Sequence, residues 1–95
     1  MSRRELRGRR MDEPDAAEVY EAARLAYELG KVVRAMREGR GWSQDDLARA
    51  ARLRRSTVAR FEAGGSIPTL PILDRLARAL DAELEIRLAP RAPAA

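Results

Sequence analysis

The chain has 95 residues, a formal net charge of +4 and no cysteine or histidine. This bounds it to one small domain with tails and excludes a disulfide framework, a thiolate metal site and the commonest general base. Of the 19 basic residues 18 are arginine, only four residues are aromatic, and no apolar run reaches the roughly 20 residues that span a bilayer. Base-stacking platforms for single strands and membrane insertion are therefore not expected. The N-terminus is basic but lacks an apolar stretch behind it, so it does not read as a secretory signal.

Residues 1–14 hold five arginines with Gly8 and Pro14, and read as a basic flexible tail. The main domain is expected over 15–81. Asp15 suits the cap of a first long helix over 16–39, where Val19, Ala22, Ala26, Leu29, Val33 and Met36 recur at spacings of three and four. Gly30 interrupts that pattern and is read as weakening the helix or marking a join between two; Gly39 and Gly41 end it. A second helix, SQDDLARAA, starts at Ser43, with Asp45 and Asp46 at the positive end of its dipole. After RLRR a third short helix opens at Arg55 or Ser56, turns Val58 and Phe61 inward, and stops at Gly64-Gly65. Leu70, Leu73, Leu76, Ala77 and Leu80 make a fourth, amphipathic helix behind Pro68-Thr69-Leu70-Pro71. The period then changes to strict alternation in Ala82-Glu83-Leu84-Glu85-Ile86-Arg87-Leu88, which reads as a strand over 82–89; 90–95 reads as a disordered end. A lone strand cannot pair its own backbone groups. Pairing through Leu84, Ile86 and Leu88 with a second copy is the simplest solution, ahead of pairing with another protein or fraying.

Two short helices joined by a tight turn within a helical domain form a helix-turn-helix. The major groove of B-DNA, about 12 Å wide, admits the second helix of such a pair. The segment RLRRSTVARF would then face DNA, and residues 40–65 hold six arginines against three acids.

The patterns R-x-x-x-G-W-S-Q-x-x-L-A, R-S-T-V-x-R-F-E-x-G and P-T-x-x-x-L-x-x-L-A-x-A-L, over about residues 29–80, resemble the Xre/Cro-type helix-turn-helix family of phage repressors and bacterial regulators. The resemblance implies an all-α, lambda-repressor-like domain of four to five helices, here with a long N-terminal helix and a short C-terminal β-strand. It implies double-stranded DNA contacts from Gln44, Arg54, Arg55, Ser56, Thr57 and Arg60. Arg55 is then the best placed for bidentate bonds to guanine O6 and N7, and Thr57 for a phosphate or a thymine methyl. It further implies a partly buried ion pair, Arg37 with Glu62, that fixes helix orientation. Leu47, Ala48, Val58, Phe61, Leu73, Leu76 and Leu80 fill the core, and Trp42 is expected there too. One position departs: the family places Gly where Arg52 stands, which puts the turn geometry in question.

The expected activity is sequence-specific repression by a homodimer at a palindromic operator, in the cytoplasm at the nucleoid, without cofactor, metal or membrane. The long first helix and LEIRLAP also resemble HigA-type antitoxins, which repress their own operon and neutralise a RelE/HigB-like toxin protein. A stand-alone repressor is the alternative, and an interaction adaptor that has lost DNA binding a more distant one, since acids rather than arginines would stand at 55 and 60. No P-loop or nucleophile–base pair points to an enzyme.

Overall fold

In the computed structural model, residues 12–92 are described; the expectations for residues 1–11 and 93–95 of the two tails lie outside them. Four helices follow in order: α1 Ala16–Gly39, α2 Gln44–Ala51, α3 Arg55–Glu62 and α4 Leu70–Ala79. None of the described helices is long and apolar enough to cross a membrane. Packing runs α1 on α3, α2 on α3 and α2 on α4. Val33, Leu47, Ala48, Ala51, Val58, Phe61, Leu76 and Leu80 form the buried core. Leu73 and Trp42 are half-buried and pack against its rim rather than filling it.

The starts of α1 and α2 are fixed by short polar side chains. The Asp15 carboxylate accepts from the Glu18 amide at 2.8 Å. Ser43 Oγ accepts from the Asp46 amide at 3.0 Å, while the Asp46 carboxylate accepts from the Ser43 amide at 2.8 Å. That reciprocal pair satisfies two backbone donors at once. It holds the Asp46 carboxyl below the usual aspartate range, chiefly through the bond from the Ser43 amide and then through the Ser43 hydroxyl.

All four helices stop by the same device. The residue after the last turn adopts a left-handed conformation: Gly41 (φ 72°), Arg52 (φ 58°), Gly64 (φ 79°) and Asp81 (φ 54°). The next amide then reaches back five residues to a carbonyl. The bonds are Trp42 to Arg37 at 3.2 Å, Leu53 to Ala48 at 2.8 Å, Gly65 to Arg60 at 2.8 Å and Ala82 to Ala77 at 2.7 Å. This is the Schellman closure, which pairs carbonyls that the helix leaves open. Trp42, Leu53 and Ala82 pack against the core from that position, so the closure also aims the chain inward. Arg52 therefore keeps the left-handed geometry that the family meets with Gly. Holding an L-residue there costs roughly 1–2 kcal/mol.

Two expectations are corrected here. Gly30 does not join two helices: α1 runs unbroken over 24 residues. Gly30 is buried where α1 crosses α3, and a Cβ on it would collide with the backbone carbonyl of Phe61 and lie 2.9 Å from that of Glu62. The missing side chain sets the approach of the two helices. Second, no strand forms over 82–89. Leu84 is half-buried, but Ile86 is 66% and Leu88 97% exposed. The reason is the one that made the strand conspicuous: no neighbouring strand exists among the described residues to complete its backbone bonds.

Candidate nucleic-acid interface

The α2–α3 turn is three residues long, Arg52 to Arg54, and leaves α3 as an outer helix with only Val58, Phe61 and Glu62 buried. Arg54, Arg55, Ser56 and Arg60 are exposed, and Thr57 is half-buried. These five expected contact residues thus lie at the start and on the open side of one helix. Arg55, Ser43, Gln44 and Asp45 line a shallow polar cleft between the starts of α2 and α3, with Arg37 at its floor.

The two helix starts facing this cleft are finished differently. The α2 end is closed by Ser43 and carries Asp45 and Asp46 in its first turn, which offset its positive end. The α3 end has Arg54 at its cap position, no side-chain cap and no acid in the first turn. That helix end keeps its positive potential and is flanked by two exposed guanidinium groups.

Beneath the surface lies the ion pair. Arg37 Nε and Nη2 donate to Glu62 Oε2 and Oε1 at 2.7 and 2.9 Å, a bidentate pair. The side chains are 11% and 3% exposed. Arg37 Nη1 also donates to the Trp42 carbonyl at 2.6 Å. The bonds to Glu62 raise the Arg37 pKa further above its ordinary value, so the guanidinium stays charged. Arg37 thereby ties α1 both to α3 and to the turn that leads into α2.

Gln44, expected to face DNA, also joins this network. Its side-chain amide donates to Glu62 Oε1 at 3.2 Å. No sequence pattern marks that bond; it follows from the packing of α2 on α3. The arginine excess of residues 40–65 is likewise reduced by internal pairing. Arg49 contacts Asp45 and Asp46 at 3.3 and 3.5 Å, and the Arg40 guanidinium lies 4.5 Å from the Trp42 ring centre. Among the described residues of this stretch, Arg52, Arg54, Arg55 and Arg60 have no such partner; Arg52 closes α2, and the other three are on α3 or at its cap.

The sequence model of the helix-turn-helix family matches residues 33–86. The chain belongs to this family. Its fold is that of an Xre/lambda-repressor-like helix-turn-helix. The solved structure of the restriction-modification controller protein C.AhdI from Aeromonas hydrophila superposes with a TM-score of 0.60 at 36% sequence identity, covering 61% of this chain and 88% of that one. Over 61 residues, 64% of its length, the chain is 33% identical to endothelial differentiation-related factor 1 of Homo sapiens, and equally to the Rattus norvegicus protein. It spans 41% of the length of these relatives. The family match covers α2, α3, α4 and the last part of α1, from residue 33; residues 16–32 of α1 precede it.

Proposed function

We propose that this chain is a sequence-specific repressor that binds double-stranded DNA as a symmetric dimer, with α3 of each copy in the major groove. The observation that carries the reading is the start of α3: an uncapped, acid-free helix end holding Arg54 and Arg55 in solvent, next in the chain after the α2 start, which is closed by a capping box. In this reading Arg55 reads a guanine through two parallel N–H bonds, Arg54 neutralises a phosphate, and Ser56, Thr57 and Arg60 complete the contact along the helix. Gln44 stays on Glu62; its amide has a second N–H, which can reach a phosphate without giving up that bond. Two copies of α3 about 34 Å apart meet successive major grooves of a palindromic operator, and a dimer seated there blocks polymerase.

The antitoxin expectation draws on the basic N-terminus, the long helix over 16–39 and LEIRLAP after the last helix. The 36% identical neighbour is a restriction-modification controller. It favours a regulator that needs no toxin, and that is the reading adopted.

The test is fluorescence anisotropy of the purified chain on the DNA upstream of its own gene, beside a scrambled duplex, at two salt concentrations. Specific binding with a Kd on the order of 10⁻⁸ M, at least about a thousandfold tighter than on the scrambled duplex, is expected. Affinity should fall with salt on both duplexes as counterions are released. Equal, weak and salt-sensitive binding to both duplexes would count against this operator, and repetition on a randomised pool with no enriched sequence would sink the reading.

A further inference from the structure

The C-terminal segment is built for a partner that a single chain lacks. Past the Ala82 amide, which donates to Ala77, no backbone–backbone hydrogen bond involves residues 83–92 among those described. Leu84 lines an apolar groove of about 250 Å³ together with Leu29, Val32, Met36 and Leu73. Ile86 and Leu88, two and four residues on, are left in solvent. Glu83, Glu85 and Arg87 fill the alternate positions.

We propose that residues 82–90 of two copies pair as an antiparallel two-stranded ribbon centred on Ile86. The inference rests on the dimer reading above and specifies its interface. Charge and alternation select the register. Centring the two-fold axis on Ile86 sets Ile86 opposite Ile86, Leu84 opposite Leu88, and Glu85 opposite Arg87, so the symmetric ribbon carries two favourable ion pairs on its outer face. Centring on Glu85 sets Glu85 against itself, and centring on Arg87 sets Arg87 against itself. An axis between residues puts aliphatic side chains opposite charges and turns half of them to the wrong face. Parallel pairing in register opposes like with like at every position.

The same register explains both ends of the segment. Pro90 falls opposite Ala82, where the ribbon begins, and having no N–H it can only occupy a position that makes no ladder bond. Positions two apart share that character, so Ile86 faces Ile86 in the close, non-hydrogen-bonded kind of pair, with Cα atoms about 4.5 Å apart. On the inner face Leu88 of one copy lies beside Leu84 of the other. The ribbon thus extends the lining of both grooves, and the two grooves become one covered core.

The chain has no cysteine, so single-cysteine variants of the full chain report their own contacts. Ile86→Cys, Glu85→Cys and Arg87→Cys are oxidised mildly in native buffer and read on non-reducing gels. Ile86→Cys should cross-link to a dimer nearly completely, at least about tenfold faster than the other two, because only its Cα separation suits a disulfide. Fastest cross-linking at 85 or 87 overturns the register, and equal slow rates in a chain that light scattering finds monomeric overturn the interface. A charge swap provides the second measurement. Glu85→Arg and Arg87→Glu should each weaken dimerisation about tenfold by placing like charges opposite, and the double variant should restore it. Failure of the double variant to restore it overturns the proposal. A monomer that still discriminates an operator half-site leaves the DNA reading standing without this interface. A dimer cross-linked at 86 that discriminates no DNA sequence keeps the interface and loses the DNA reading.

Discussion

Replacing Glu62 with Gln isolates what holds α3 in place. The carboxylate accepts three bonds, from Arg37 Nε, Arg37 Nη2 and Gln44 Nε2, at 2.7, 2.9 and 3.2 Å. Glutamine keeps the shape and one oxygen but removes the charge and turns an acceptor into a donor facing a guanidinium. Arg37 cannot escape by losing its proton, since a guanidinium stays charged at neutral pH even without the carboxylate beside it. At 11% exposure its side chain has little water to turn to. Breaking one partner of such a buried pair costs about 3–5 kcal/mol. For a domain of this size each kcal/mol lowers Tm by about 4–8 °C, so Glu62→Gln should melt roughly 12–40 °C below wild type. Circular dichroism during thermal and urea unfolding measures this, in a cycle with Arg37→Met and the apolar double variant Arg37→Met/Glu62→Leu. The double variant should lose less than either single one, because packed aliphatic groups leave no unpaired charge. A loss below about 1 kcal/mol in Glu62→Gln, or additive losses in the double variant, would refute the reasoning and make the pair incidental to the fold.

Gly30→Ala should destabilise by about 2 kcal/mol despite alanine's roughly 1 kcal/mol advantage inside a helix, because the new methyl group strikes the α3 backbone. Gly39→Ala, with nothing within 4 Å of the added carbon, is the control and should change stability by less than about 1 kcal/mol. Arg52→Gly should raise the urea midpoint by the equivalent of about 1 kcal/mol by relieving the left-handed backbone, with the Arg75 bond to the Arg52 carbonyl retained. Ser43→Ala should cost about 1 kcal/mol through the lost α2 cap. The Asp46 carboxyl that shares this cap has its pKa held below the unfolded value, so its contribution is present above the ordinary aspartate range and lost as pH falls through and below that range. Acid titration of unfolding should show this slope in wild type and a shallower one in Asp46→Asn.

The four helices were legible because each presents apolar residues at spacings of three and four and three of them begin on Asp15, Ser43 or Thr69. The stops at Gly41 and Gly64 were legible for the same reason that Asp81 was not: glycine announces a left-handed residue, whereas aspartate adopts it without a signal. Ser43 was read as a cap, but its reciprocal partner was missed, since the usual partner is Glu or Gln and here the shorter Asp46 closes the pair. Helix propensity, a local property, marks Gly30 only as a weak point; its real constraint is the carbonyl of another helix 31 residues on. The alternating segment 82–88 carries the pattern of a strand and lacks the neighbour that makes one. Among the candidate contact residues, exposure of Arg54, Arg55, Ser56 and Arg60 followed from the helix-turn-helix pattern. The bond from Gln44 to Glu62 did not, because it depends on how α2 packs on α3.

The unequal finish of the two helix ends makes one further outcome testable, at Arg54. Its backbone already has the extended cap geometry, φ −76° and ψ 146°, so an aspartate or serine there can accept from the first-turn amides with no rearrangement. Either substitution should stabilise the fold by about 1 kcal/mol, as a gained cap does elsewhere, and aspartate slightly more by offsetting the helix dipole. If the α3 end is left open to receive phosphate, stability and binding must move in opposite directions. Arg54→Ser should lose one phosphate contact and flatten the salt dependence of binding by about one charge, while Arg54→Asp, which adds repulsion, should bind at least about tenfold more weakly still. Thermal unfolding and anisotropy on one preparation of each variant decide the matter. A more stable Arg54→Asp that binds DNA like wild type would mean that this helix end does not face the duplex, and the arginine would then be only a poor cap on a solvated turn.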